Sequence, residues 1–438
     1  MFKTEFLQQI NPGWVEFILS RPAWAQMTVV FLVSWAMAWI VNRYSRAIAV
    51  WFDIITCSVP KGVTREEYAK SNRRSTKLET FFWTPLFGVV MAGVYALFIH
   101  RGGFANLLTE FHAETLTITT RSHWDVRLFQ PLGLQNFIGF FVLSAILLAA
   151  SLCDIRRRII PDLVPLAGIA AGIFLATATQ TMFVHVTLYA PIDNSNTIAE
   201  IGEFSSLTFA SPFRAPNWAF GTKLLSACGC WAFFVIAFLI RPIKLQRGFA
   251  YGLKLFFLRL VRDRMTYITL FVAAIGAIAT VYTLLYCDAS RQDALLSSLF
   301  GMTFGGMMVW AVRLTGRWML KMEAIGFGDV TLMMALGTFT GWQAIPVIFF
   351  LSPATGLIVG IIMLAFGQRH VPLGPFLCLT TAIWFLCFDF LWEFCFPLYV
   401  FGADTVIYIL LVCLGLMAVM LWVIQIIKSK WLLSPTQP

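Results

Sequence analysis

The stretch Glu323–Trp342 reads EAIGFGDVTLMMALGTFTGW, a Gly-x-Gly-Asp turn running directly into a long apolar segment. It sets the problem of the whole chain. Asp329 stands at the mouth of a segment otherwise suited to lipid, where a charged group is costly and needs a partner or a task. Gly326 and Gly328 strip side chains from around Asp329, so a polypeptide backbone can approach it closely. An aspartate at a helix N-terminus also meets the favourable end of the macrodipole, so a simple N-cap with flanking loop glycines explains the motif equally well in isolation.

Working outward, the 438 residues are 59% hydrophobic and 12% charged, and include 42 Phe. The apolar residues come in blocks of about 20, the length of a membrane crossing, and not at the spacing of an amphipathic helix. The fold class is therefore all-α: a polytopic transmembrane helical bundle. Eleven spans are predicted near 24–42, 81–100, 134–153, 163–181, 221–240, 265–286, 294–312, 329–345, 346–366, 374–396 and 404–427. The eighth is the shortest. Lys3 and Glu5 precede a polar lead-in containing Pro12 and Trp14, which is not the pattern of a cleaved signal.

The formal net charge is +10, yet the basic residues do not form a nucleic-acid face. They alternate between loops: eight Lys/Arg in 43–80, Arg156, Arg157 and Arg158 after the third span, and seven in 241–264. The loop 182–220 holds only Arg214, and 287–293 only Arg291. The positive-inside rule then puts the N-terminus outside and the C-terminus in the cytoplasm. The three arginines after the third span serve in this reading as topology determinants near anionic lipid. Nine cysteines form no CxxC pair, so neither a zinc site nor a disulfide framework is indicated.

The chain divides into 1–133, with two spans, a cytoplasmic insert at 43–80 and an external loop at 101–133; 134–181, with spans three and four; 182–293, an external loop plus spans five and six; 294–396, with spans seven to ten; and 397–438, the last span and tail. Within 101–133 the alternating TLTITTRS predicts a short strand or extended loop.

With this topology Asp154, at the exit of the third span, and Asp329, at the entry of the eighth, share the cytoplasmic face although 175 positions separate them. Two carboxylates a few ångströms apart share a proton, one drawing a proton from water while the other polarises a carbonyl. The opposing reading is a transporter or channel using the intramembrane acids Asp389 and Glu393, which share a helix face at i, i+4 but lie toward the external end of their span.

Three motifs, taken in order, resemble the type IV prepilin peptidases, a family of GxGD aspartyl proteases. CDIRRRIIPD (Cys153–Asp162) is similar to the first active-site motif, EAIGFGDVTLMMALGTFTGW to the second, and Pro372, Leu373, Gly374, Pro375, Phe376 and Leu377 to the C-terminal signature. The resemblance covers roughly 134–180 and 295–395, with a faint echo at Asn42 and Arg46. It implies Asp154 and Asp329 as the catalytic pair, with Gly326, Gly328, Pro161, Asp162, Pro372, Gly374 and Pro375 shaping the site. It implies prepilin- or pseudopilin-like substrates with a short basic leader, a multi-pass location in the cytoplasmic (inner) membrane, and no metal or cofactor for proteolysis.

Three features depart from the family. Cys57 is the single cysteine in 43–80, where members that also methylate their product carry two CxxC pairs; S-adenosylmethionine would be needed only if methyl transfer were retained. Thr331 stands where the family commonly has lysine. Spans five and six, roughly 221–286, look like an insertion between the two aspartates; an even number of added spans leaves Asp329 on the original side.

Overall fold

The computed structural model describes residues 17–55, 82–100, 109–112, 117–120, 126–157, 159–178, 190–191, 220–239, 264–287, 289–320, 326–365, 373–387, 390–391, 394–395 and 403–431. Ten helices and three short strands lie among them: α1 (Ala23–Ile55), α2 (Thr84–His100), β1 (Thr109–His112), β2 (Thr117–Thr120), α3 (Val126–Arg157), α4 (Leu163–Ala178), β3 (Ala190–Pro191), α5 (Phe220–Leu239), α6 (Arg264–Tyr286), α7 (Ala289–Leu320), α8 (Phe327–Ala365), α9 (Gly374–Leu386) and α10 (Ala403–Trp431). Six of these helices are long and apolar enough to cross a membrane, and four shorter apolar ones accompany them. The protein is a multi-pass membrane bundle.

Each predicted span has a counterpart, but several boundaries move. α1 continues through the start of the predicted 43–80 insert as far as Ile55, because VNRYSRAIAVWFDII contains no Gly or Pro to stop it. α3 begins at Val126, inside the predicted loop 101–133, and α9 ends at Leu386, short of the predicted 396. The alternating segment does form a strand: β2 pairs antiparallel with β1, and β1 pairs in parallel with β3, which joins the two long loops 101–133 and 182–220.

The eighth and ninth spans become two limbs of α8, broken at Gly341 and not near residue 345 (φ 73°, ψ 173°). Side-chain-free geometry is required there, since φ is in the region that L-residues rarely occupy. The limbs double back. A methyl group placed on Gly305 of α7 would sit 2.5 Å from the Met333 carbonyl oxygen and 3.3 Å from Ile345 Cδ1. Twelve residues of straight helix would hold Met333 and Ile345 about 18 Å apart. The first limb runs antiparallel to α7, with Ser298 Oγ donating to the Thr338 carbonyl at 3.0 Å. The second runs antiparallel to α9, with the Thr355 and Thr380 hydroxyls 2.9 Å apart.

The first limb is the centre of the bundle. Val330, Leu332, Met333, Met334 and Leu336 are all 0% exposed. Lipid gives no hydrophobic drive between helices, so close backbone packing at small residues has to hold such a limb. Gly301 and Gly337 meet backbone to backbone across α7 and α8, and Gly172 of α4 lies against Thr338. One apolar cluster unites α2, α3, α8 and α9; a second unites α4, α5, α6 and α7, with α8 contributing to both. α5 and α6 pair through Trp231, whose Nε1 donates to Thr280 Oγ1 at 3.1 Å. By contrast, Leu411, Val412, Leu416 and Val419 of α10 are 58–64% exposed, as on a lipid-facing helix.

Candidate active site

Three chain segments meet at one end of the bundle. The first is the last turn of α3, where Asp154 is buried, followed by Ile160, Pro161 and Asp162 at the entry to α4. The second is the turn before α8, where Gly326 and Gly328 flank Phe327 and lead to half-buried Asp329 in the first helical turn. The third is the start of α9, with Leu373 at the N-cap, then Gly374 and Pro375.

Asp154 sits in the last turn of its own helix, where free carbonyls present partial negative charge. A carboxylate there needs an outside donor. The Gly374 amide provides it, donating to Asp154 Oδ2 at 2.9 Å in a buried contact. That amide is one of the orphan donors at the N-terminus of α9, so Asp154 is served in trans by the favourable end of another helix. Pro375 fits beside it because a proline in the first turn loses no helical bond.

Close approach is enforced at Gly374. A Cβ there would stand 2.5 Å from Asp154 Oδ2 and 3.1 Å from Ile160 Cδ1. Ile160 also touches the second segment, since a Cβ on Gly328 would stand 3.0 Å from Ile160 Cβ. Ile160, 5% exposed, is thus the common neighbour of the Asp154–Gly374 pair and the GFGD turn. A Cβ on Gly326 would lie 3.4 Å from Asp329 Oδ2, so the carboxylate faces back over the turn. The charges of Asp154 and Asp329 act on each other, and both act on the buried Cys378 thiol of α9.

The remaining candidates fall as follows. Pro161 and Asp162 begin α4, their carbonyls accepting from Val164 N at 3.0 Å and Leu166 N at 3.1 Å. Thr331 is fully buried, and its hydroxyl donates to the Gly328 carbonyl at 3.0 Å, tying off the first turn of α8. Pro372, Cys57, Asp389 and Glu393 lie outside the described residues. Arg156, read from the sequence as a topology determinant, bonds to Asn42 and Ser45 of α1. Among the described residues no group of three or more His, Cys, Asp or Glu could hold a metal ion. The sequence reading missed Ile160, at which only its position inside the CDIRRRIIPD motif hinted.

Residues 255–361, which include Asp329 and α6 but not Asp154, match the model of the type IV leader peptidase family. Over 100 residues the chain is 36% identical to a prepilin leader peptidase/N-methyltransferase of Pseudomonas aeruginosa, covering 21% of this chain and 32% of the relative. A relative of the same name from Aeromonas hydrophila is 32% identical over 105 residues (23% and 34%), and one from Neisseria gonorrhoeae 32% over 99 residues (23% and 35%). The chain spans about a third of the length of these curated relatives. No solved structure matches. The matched segment is thus similar to the type IV leader peptidase family.

Proposed function

We propose that this protein is a membrane aspartyl endopeptidase that removes the short basic leader of prepilin- or pseudopilin-like proteins. The observation that carries the reading is the convergence, from 175 positions apart, of Asp154 and the GFGD turn at one end of the bundle, with a helix N-terminus aimed at Asp154. Asp154 and Asp329 are the catalytic pair. One carboxylate takes a proton from water as it attacks the scissile carbonyl, and the other gives its proton to that carbonyl oxygen. As the tetrahedral intermediate collapses, the first carboxyl gives its proton to the leaving nitrogen and the second takes back the proton of one hydroxyl, which restores the starting pair. Every proton is accounted for within the pair and the attacking water, so the cleavage needs no covalent intermediate.

The alternation of basic loops supports a cytoplasmic location for this end of the bundle, in the cytoplasmic (inner) membrane, with the N-terminus outside. The substrate's apolar helix docks laterally in the bilayer, which leaves the bond just before it, after glycine, beside the two aspartates. The proposal assigns 134–181 and 294–396 to the catalytic part, 182–293 to an addition between them, and 1–133 and 397–438 to flanking spans. The relatives carry N-methyltransferase in their names. Cys57 is alone in 43–80, and the proposal is confined to peptide cleavage without S-adenosylmethionine.

The test is a cleavage assay in lipid vesicles. Its substrate has a basic leader, glycine before the cut and an apolar helix after it. The reading expects wild type and Asp389→Asn to cut, and Asp154→Asn and Asp329→Asn to be inert although normally inserted. Equal behaviour of all four proteins would refute it.

A further inference from the structure

We infer that Arg156 is a positioning residue for Asp154, acting through a clamp on α1; the inference rests on the catalytic reading of Asp154 given above. α3 ends at Arg157, so Asp154 lies in a terminal turn, the part of a helix that frays most readily. A reacting carboxylate in such a turn needs its orientation fixed from outside. The Gly374 amide does this on one side. At 3.6 residues per turn, a side chain two positions later points about 200° further round, so Arg156 emerges from nearly the opposite face.

There the guanidinium grips α1. Nη1 donates to the Asn42 carbonyl at 3.3 Å and to Ser45 Oγ, and Nη2 donates to the Asn42 side-chain oxygen Oδ1. The Ser45 hydroxyl donates in turn to the Asn42 carbonyl at 2.9 Å, which closes a small network. Asn42 and Ser45 are 5% and 1% exposed, so this is an interior joint between helices, not a surface contact. Three acceptors spread over one turn of α1 suit the planar guanidinium fork, and a lysine ammonium cannot meet them all from one point.

The end of α3 is thus held on opposite faces, toward α9 through Asp154 and toward α1 through Arg156. Rotation about the helix axis would break one joint or the other. α1, which carries no catalytic aspartate, becomes part of the machinery that orients one.

The experiment measures kcat, KM and the pH–rate profile of the full-length protein in vesicles. The variants are Arg156→Lys, Asn42→Ala, Ser45→Ala and the double variant Arg156→Lys/Asn42→Ala, with Asp154→Asn as reference. The clamp predicts a kcat lower by about 10- to 100-fold for Arg156→Lys, the scale of an ångström-level misplacement, with KM changed less than about twofold. The Arg156→Lys pH–rate profile should move relative to wild type, and the double variant should be little worse than the worse single one. Hydrogen exchange of amides 152–157 should be faster in Arg156→Lys, a readout that needs no turnover. Ser45→Ala removes one hydroxyl and keeps the test open if the larger changes impair folding.

Wild-type kcat and an unmoved pH profile in Arg156→Lys and Asn42→Ala would overturn the inference, while an inert Asp154→Asn would leave the catalytic reading intact. A kcat loss that only tracks the loss of folded protein would overturn it too. If the wild type fails to cut, the catalytic reading fails, and unchanged exchange at 152–157 would sink the clamp separately.

Discussion

The two aspartates reach one site by opposite structural routes. Asp329 opens α8, and the N-terminus of its own helix, with glycines on either side of the turn, furnishes its surroundings. Asp154 closes α3 and depends on other helices: the α9 amide bonds to its carboxylate, and Ile160 packs beside that contact. The difference teaches that a site can pair a locally built carboxylate with one that exists only in the assembled bundle. The first is disturbed by changing the turn itself or Ile160, which packs on Gly328. The second can be disturbed from a helix remote in sequence.

The largest effect should come from the carboxylates. Asp154→Asn and Asp329→Asn should each lower turnover by more than about 10³-fold, since members of a catalytic unit are lost together and not additively. Cleavage rates in vesicles, normalised to inserted protein, measure this. Next is Gly374→Ala, which probes the assembled carboxylate alone. Its methyl would stand 2.5 Å from Asp154 Oδ2, so the amide bond must lengthen, and kcat should fall about 10²-fold. A Gly374→Ala protein with wild-type turnover would mean that Asp154 does not need α9.

Gly341→Ala should act on both aspartates through stability. Forcing a residue with a Cβ to φ 73° costs about 1–3 kcal/mol, readable as a lower midpoint of thermal unfolding in detergent. The smallest effect belongs to the locally built side. Thr331→Val keeps the shape and removes one hydroxyl bond to the Gly328 carbonyl, costing about 1 kcal/mol, with turnover within about threefold of wild type. A collapse of activity in Thr331→Val would show that the GFGD turn is less self-sufficient than its geometry implies.

The same contrast explains what could be read in the sequence. The GFGD turn and its apolar limb were legible because the chemistry and its support are contiguous. The helical bundle was legible because blocks of about 20 apolar residues admit few other readings. Gly374 was visible as part of a motif, but its bond to Asp154 was not, because 220 positions separate the two. Arg156 was assigned to topology, since an arginine at a membrane edge reads the same whether it faces lipid headgroups or a buried Asn42. α1 runs beyond the predicted span 24–42 because charged residues end an apolar block but not a helix, which with no breaker continues to Ile55.

The reversal at Gly341 governs how the chain length is allowed to vary. Because α8 folds back on itself, Asp329 and Gly374 return to one level after two antiparallel limbs, the first packed on α7 and the second on α9. One residue added within a limb would turn everything beyond it by about 100° and shift it by about 1.5 Å. α4 and α7 are held to α8 in the same way, whereas the α5–α6 pair lies in sequence between them and packs against both. The limbs of α8 therefore cannot gain a residue without turning their packed faces, whereas a helix pair is accommodated between α4 and α7.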